Sequence, residues 1–141
     1  MINPSLKIPS NPKYLRLIRA VVSTIGQMSS LSDDSIDQVM LAVDEACTNI
    51  IRHAYNNDFN KEIILQFNYS NDFFEVIIED FGKKAEPDYF NCQPIGEIRT
   101  GGYGLHLIRR AFDVLNYDKT MENGNRLKLL RYKKKDENRN G

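Results

Sequence analysis

LAVDEACTNIIRHAY, residues 41–55, is the stretch that decides the fold. Its apolar residues continue a stripe of helical spacing that begins at Ile36, and this stripe predicts an amphipathic helix packed against a core. Glu45 and Asn49 lie on the opposite side of that helix. Four residues correspond to a rotation of about 40° along a helix, so a carboxylate and an amide there reach the same neighbour. That neighbour is either solvent or a ligand.

The residues before this helix predict an edge strand and a first helix. LKI at 6–8 is a short apolar run, and Ser10-Asn11-Pro12 supplies a cap and a proline suited to a first helical turn. A core-facing stripe follows and predicts a helix to about Ser29; its members are Leu15, Ile18, Val21, Val22 and Ile25. Ser32 is the predicted cap of the second helix, which ends at Asn56-Asn57.

The rest of the chain predicts two hairpins separated by a long connection and a third helix. Residues 62–70 and 73–80 are rich in β-branched and aromatic residues, and residues 114–121 and 126–132 flank an Asn-Gly turn that predicts a closing hairpin. We therefore expect a mainly antiparallel sheet. Between the hairpins, residues 81–102 have no clear period, and connections of this length in a compact domain are functional or disordered. Gly101, Gly102 and Gly104 then open a segment of helical spacing, where free backbone N–H groups favour an anion.

Composition narrows the classes of function. The 141 residues carry 19 basic and 19 acidic side chains, so a net charge of zero gives no general attraction for nucleic acid or an anionic membrane, and neither is expected as a partner. The apolar runs are far shorter than the roughly 20 residues of a membrane span, and the N-terminus lacks the features of a signal peptide. We expect a cytoplasmic protein with one domain at residues 1–133 and a disordered charged tail at 134–141. Cys47 and Cys92 lack metal-ligand spacing and are interpreted as reduced thiols.

Three polar motifs occur in an order that suits a nucleotide. Taken singly, Glu45 with Asn49 suggests a solvated surface, Asp80 before Gly82 suggests a turn, and glycine before a helix is common. Together they offer an acceptor for a base amino group, an oxygen ligand for Mg²⁺, and backbone donors for phosphates. The combination therefore predicts a nucleotide site more strongly than any one motif does.

The same motifs resemble those of a known family. Glu45 with Asn49, Asp80 with Gly82, and GGYG at 101–104 are similar to the N, G1 and G2 boxes of the GHKL superfamily, the histidine kinase-like ATPases. Within it the chain most resembles the small anti-sigma factors that are serine kinases, of the RsbW and SpoIIAB type. The resemblance spans most of residues 10–132, and EACTNIIRHAY is its most specific part.

The resemblance implies an α+β two-layer sandwich of the Bergerat type, with helices on one face of a mixed, mostly antiparallel sheet and ATP held among the helices. Asn49 would coordinate Mg²⁺, and Glu45 would be the general base for a serine hydroxyl. Asp80 would accept from the adenine amino group, while Gly82 lets the base approach the backbone.

The resemblance also implies roles near the phosphates. Gly101, Gly102, Tyr103, Gly104 and Leu105 would wrap the phosphates. His53 is either an ordinary helix residue or a lining residue of the nucleotide pocket near Asn49. Arg19 is either a solvated charge or a contact for a partner.

The implied function is a serine-protein kinase and anti-sigma factor. It would sequester a sigma factor, phosphorylate a serine of a STAS-type anti-sigma-factor antagonist, and form a homodimer. The alternative is a non-catalytic module that uses ATP to control binding of a partner. A detached histidine-kinase domain fits less well, because those domains usually carry Asn at the position of Glu45. Two positions depart from the family pattern: Lys84 replaces a glycine, and Asn125 follows Gly124 where threonine is usual.

Overall fold

A computed structural model describes residues 3–85, 102–118 and 120–133, with the side chains of residues 102–104 excepted. The predicted tail at 134–141 and most of the long connection lie outside the described residues. The elements are β1 (Ser5–Pro9), α1 (Leu15–Met28), α2 (Asp33–Asn49), β2 (Glu62–Tyr69), β3 (Phe73–Asp80), α3 (Gly102–Ala111), β4 (Val114–Tyr117) and β5 (Asn125–Tyr132). A 3₁₀ turn at Pro12–Tyr14 precedes α1, and a π-helical turn at Ile50–Ala54 extends α2.

The five strands form one sheet in the order β1-β2-β3-β5-β4. The prediction of a mostly antiparallel sheet is confirmed. All four strand pairings among the described residues are antiparallel, so this sheet contains no parallel pair of the kind that a mixed sheet would have. The register of β3 with β5 places Asp80 opposite Asn125. A residue near the end of the first hairpin is therefore joined to the start of the last strand.

Side chains alternate along the strands between a buried and a more exposed face. Ile63, Leu65 and Phe67 of β2 point to the buried face and pack in the same core as residues from all three helices. The predicted stripe of α1 is confirmed, since Ile18 and Val22 are buried in that core. The result is the two-layer α+β sandwich expected from the sequence.

Local side-chain bonds set where several elements begin and end. The Asn11 side chain accepts from Lys13 N, and the Ser32 hydroxyl accepts from Ser35 N, so both predicted caps are confirmed. Strand β4 ends at Tyr117, four residues earlier than predicted. Asp118 Oδ1 accepts from both the backbone N and the hydroxyl of Thr120, and this local turn competes with a longer strand.

A buried arginine joins the two layers. Arg131 in β5 is fully buried, and its guanidinium donates to the Ala111 carbonyl at the end of α3 (2.8 Å) and to the Ser35 hydroxyl in the first turn of α2 (3.0 Å). The alternation of β5 puts Arg131 on the same face as Leu127 and Leu129. The alternation of β5 is the signal in the sequence that could have marked Arg131 as buried. No helix in the described parts of the chain is long and apolar enough to span a membrane.

Candidate nucleotide site

Glu45 and Asn49 lie one turn apart on α2, half-buried, and their side chains are hydrogen-bonded to each other. Burial raises the pKa of the Glu45 carboxyl above its ordinary value, and the neighbouring Asp44 carboxylate adds to that rise. Arg52 opposes the rise, and the bond from Asn49 and the charge of His53 oppose it more weakly. A carboxylate with a raised pKa is a better proton acceptor than an ordinary one.

The α-helical pattern changes immediately after Asn49. Residues Ile50–Ala54 form a π-helical turn, which widens the helix by placing each hydrogen bond one residue further along. Arg52 and His53 lie in this turn with exposed side chains, close enough to Glu45 to act on its charge. The sequence predicted a continuous α-helix here, because the apolar spacing from Ile50 to Ala54 fits either form.

Asp80 occupies the end of β3 and is only 1% exposed. Its Oδ1 accepts from Gly82 N at 2.9 Å and from Asn125 Nδ2 at 2.9 Å. Burial raises the pKa of the Asp80 carboxyl, while these two bonds hold it lower than burial alone would. Both bonds from the described residues end on Oδ1, so Oδ2 remains as an acceptor for a ligand.

The end of β3 is joined to the end of the α2 extension. Lys83 N donates to the Ala54 carbonyl at 2.8 Å, and Phe81 N donates to the Tyr55 hydroxyl at 2.8 Å. At Gly82, a Cβ would lie 2.3 Å from Ala54 O and 2.8 Å from the Tyr55 ring. Only glycine allows the two backbones to approach this closely.

Cys47 is a buried thiol on the core side of α2. This thiol is fully buried in α2 between the positions of Glu45 and Asn49, and burial raises its pKa. The Asp44 and Asp80 charges raise that pKa further. A buried, protonated thiol is unreactive, in keeping with its interpretation as a reduced cysteine. Cys92 lies outside the described residues.

The glycine-rich motif is described in part. Gly101 lies outside the described residues, and α3 begins at Gly102 and packs against α2. The first backbone N–H groups of α3, at Gly102, Tyr103 and Gly104, have no acceptor within the helix, as at any helix start. The Leu105 side chain is 3% exposed, so this residue can offer a ligand only its backbone.

The two departures from the family pattern occupy defined positions. The Lys84 ammonium donates to the Met121 carbonyl in the β4–β5 connection. The Asn125 side chain bonds to Asp80, to the Lys83 carbonyl and to Ala85 N, so an amide is bonded to the Asp80 carboxylate at this position. The sequence shows that Asn125 departs from the family pattern, but no local signal indicates these bonds.

Arg19 forms an ion pair with Asp44, the neighbour of Glu45. Arg19 Nη1 lies 2.9 Å from Asp44 Oδ1, and both side chains are partly exposed. Arg19 thus links α1 to the polar face of α2, a position that neither reading of the sequence included.

A metal ion fits this region only together with a nucleotide. The described residues contain no group of three or more His, Cys, Asp and Glu side chains able to hold a metal ion. Mg²⁺ commonly takes one or two protein oxygens and completes its shell with phosphate and water oxygens. The Asn49 amide beside the Glu45 carboxylate suits that mode of binding.

Comparison with known proteins identifies the family of the chain. Residues 8–131 match the model of the histidine kinase-like ATPase domain. Two relatives, both named serine-protein kinase RsbW, come from Bacillus subtilis (strain 168) and Oceanobacillus iheyensis and are 32% and 33% identical to this chain. Each alignment covers 77% of this chain, and 72% and 73% of the respective relatives.

A solved structure is similar in fold. It contains the RsbU and RsbW domains of a protein from Mycobacterium tuberculosis, with a TM-score of 0.64 and 15% sequence identity. The match covers 92% of this chain and 32% of that one, so the present chain spans about a third of its length. The predicted enzyme class, an ATP-dependent serine-protein kinase, is confirmed by the relatives and the family together. With its fold, its motifs and these matches, the chain belongs to the histidine kinase-like ATPase family.

Proposed function

We propose that this protein is an anti-sigma factor that phosphorylates a serine of its own antagonist, with Glu45 as the general base. The observation that carries the catalytic part is the pair of Glu45 and Asn49, bonded to each other one turn apart on α2. The relatives named serine-protein kinase support the reaction class. The match of residues 8–131 to the histidine kinase-like ATPase domain, together with the buried carboxylate of Asp80, supports ATP as the phosphate donor.

In the proposed reaction, Glu45 accepts the proton of a serine hydroxyl while the serine oxygen bonds to the γ-phosphorus of ATP. The bond from that phosphorus to the bridging oxygen breaks, and ADP leaves. The raised pKa of Glu45 suits it to hold this proton. Catalysis of phosphoryl transfer otherwise depends mainly on positioning and on neutralising charge, which Mg²⁺ supplies when bound at Asn49.

The remaining site residues bind the nucleotide. Asp80 Oδ2 accepts from the adenine amino group, and Gly82 leaves room for the base against the backbone. Backbone N–H groups at the start of α3 and at Gly101 hold the phosphates. His53, exposed in the π-helical turn, lines the phosphate side of the pocket near Asn49.

The proposed partners follow from the same family assignment. A sigma factor is bound and released when an unphosphorylated STAS-type antagonist takes its place, and phosphorylation of the antagonist reverses that exchange. A homodimer is the proposed assembly, and the cytoplasm is the proposed compartment.

The test is phosphate transfer from γ-labelled ATP with Mg²⁺ to proteins in a lysate of the source organism. We expect one small labelled protein that carries phosphoserine. The Glu45→Gln variant, which keeps the shape and loses the base, should not label it. Glu75→Gln is the matched control, because Glu75 accepts from Asn68 on the opposite face of the sheet.

Two results would contradict the proposal. If Glu45→Gln labels the same protein at the rate of the unmodified chain, Glu45 is not the base. If no protein is labelled although ATP binds, the alternative of a non-catalytic module that controls a partner by nucleotide-dependent binding is the better account.

A further inference from the structure

Asn125 makes an unusual set of contacts at the first residue of β5. It is 8% exposed and lies directly opposite Asp80 in the sheet. Its Nδ2 donates to Asp80 Oδ1 at 2.9 Å and to the Lys83 carbonyl at 2.9 Å. Its Oδ1 accepts from Ala85 N at 2.9 Å and from the Tyr117 hydroxyl.

These four bonds use the whole capacity of a carboxamide, which has two donor hydrogens and two acceptor lone pairs. The partners also determine which position the amide oxygen occupies and which the amide nitrogen occupies. Ala85 N can only donate, and the Asp80 carboxylate and the Lys83 carbonyl can only accept, so a flipped amide would lose these three bonds. The side chain is therefore held in one orientation from four directions.

No other residue type of similar size reproduces this arrangement. Aspartate lacks the Nδ2 donor and would place a second carboxylate against Asp80. Threonine has one donor and shorter reach, so it can replace the bond to Asp80 but not the bonds to Lys83 and Ala85 as well. The consequence of the asparagine is a rigid link between the acidic end of β3 and the backbone that follows it.

We propose that Asn125 is a positioning residue for base recognition: it holds Asp80 through Oδ1 and thereby presents Oδ2 as a fixed acceptor that selects adenine over guanine. Adenine carries an amino donor at the position where guanine carries a carbonyl oxygen, and a carboxylate oxygen held in place repels the latter. The inference rests on the proposed ATP site and adds to it the residue that sets its selectivity.

The experiment measures dissociation constants for ATP and GTP in the presence of Mg²⁺ for the full chain and for Asn125→Ala. A hydrogen bond to a charged group contributes enough that its loss should weaken ATP binding by about tenfold or more. GTP binding should change less, so the dissociation constant for GTP divided by that for ATP should fall. In phosphate transfer, the KM for ATP should rise by a larger factor than kcat falls. Asn68→Ala is the matched control, since Asn68 donates to Glu75 away from this site.

The pH dependence separates positioning from a purely structural effect. The bond from Asn125 lowers the pKa of the Asp80 carboxyl, so its loss should move the acid limb of ATP binding to higher pH. Asn125→Asp should bind ATP more weakly than Asn125→Ala near neutral pH and regain part of the loss as the pH falls. A change in stability alone would leave the acid limb of ATP binding where it is in the unmodified chain.

Asn125→Thr tests the same inference if the alanine variant does not fold. With the donor to Asp80 restored, the threonine variant should keep more of the preference for ATP over GTP than Asn125→Asp. The inference is overturned if the unmodified chain binds ATP without preference over GTP, or if the folded variants keep its preference and its acid limb. Failure of the proposed function looks different, because the unmodified chain would then bind no ATP or transfer no phosphate.

Discussion

Two acidic residues of the site, Glu45 and Asp80, differ in how the chain holds them. Glu45 is half-buried on α2, where its hydrogen-bond partner Asn49 is one turn away, and the Arg52 guanidinium acts on its charge. Asp80 is almost fully buried and is held by a backbone N–H and by an amide 45 residues away. The Glu45 carboxylate is positioned by its own helix, whereas the Asp80 carboxylate is positioned by the pairing of two distant strands.

The difference matches the two kinds of chemistry proposed for the site. Burial raises the pKa of both carboxyls, but a cation opposes this at Glu45 and only neutral donors do so at Asp80. A group proposed to accept a proton gains from a neighbouring cation, because that cation favours its charged form. A group that reads a neutral amino donor gains from a fixed direction. The comparison predicts that substitutions at the two positions fail in different ways.

The largest effect is expected for Glu45→Gln in single-turnover phosphate transfer. Loss of a general base should lower the rate by about 10²–10⁴-fold. ATP binding should change little, because glutamine keeps the size of the side chain and removes only its charge. The measurement is the transfer rate at saturating ATP together with the dissociation constant. A variant that lost ATP binding and kept its rate would remove the distinction between the two carboxylates.

Gly82→Ala should damage the region of Asp80 through the backbone. The added Cβ meets the Ala54 carbonyl oxygen at 2.3 Å, which no side-chain movement can relieve. We expect a loss of about 1–3 kcal/mol in the free energy of unfolding and weaker ATP binding. Denaturant unfolding and a binding titration would measure both.

Gly26→Ala is the matched control on α1. There the added Cβ meets the side chain of Ile36 at 2.9 Å, and a helix interior favours alanine over glycine. ATP binding should be unchanged in this variant. Equal loss of binding in the two variants would mean that Gly82 has no special place at the site.

The sequence predicted contacts between residues that are close along the chain, and it did not predict contacts between distant strands. The pairing of Glu45 with Asn49 is local, so helical period alone placed it correctly, and the caps at Asn11 and Ser32 were equally readable. The role of Asn125 depends on β3 pairing with β5, and no local pattern marks it. The family resemblance identified the position as a departure but could not say that a carboxamide would satisfy four partners.

Two other features were missed for related reasons. The π-helical turn after Asn49 leaves the apolar spacing almost unchanged, so periodicity could not reveal it. Arg131 was passed over because charged residues are seldom fully buried, even though its place in the alternation of β5 put it inside. Its partners, Ser35 and Ala111, are brought together only by the packing of α2 and α3 on the sheet.

Asp80→Asn should separate binding from stability. The Oδ1 bonds from Gly82 and Asn125 can remain, but an amide nitrogen replaces Oδ2 and faces the adenine amino group, so ATP binding should be lost. Because the pKa of Asp80 is raised in the folded chain, its stabilising contribution is present at low pH and is lost as the pH rises through that raised pKa. In thermal unfolding without nucleotide at neutral pH, the variant should therefore equal or exceed the unmodified chain, and its advantage should shrink on acidification.

Asp118→Asn should change the pH dependence of stability in the opposite direction. The bonds from Thr120 lower the pKa of Asp118, so its contribution is present above the ordinary carboxyl pKa and is lost as the pH falls. This variant should be slightly less stable at neutral pH and approach the unmodified chain in acid. If the two aspartate variants shifted in the same direction, burial would not be what distinguishes Asp80.

The smallest effect is expected for Arg19→Ala, which tests how far the charges around Glu45 extend. The ion pair with Asp44 is partly exposed, so its loss should cost only about 0.2–1 kcal/mol of stability. Asp44 raises the pKa of Glu45, and without Arg19 its charge is less neutralised, so the acid limb of the transfer rate should move slightly to higher pH. Arg16→Ala, another exposed arginine of α1, is the control and should leave that limb in place. Identical profiles for the two variants would confine the electrostatics of Glu45 to its own helix, whereas the predicted shift would show that α1 helps to set the strength of the base.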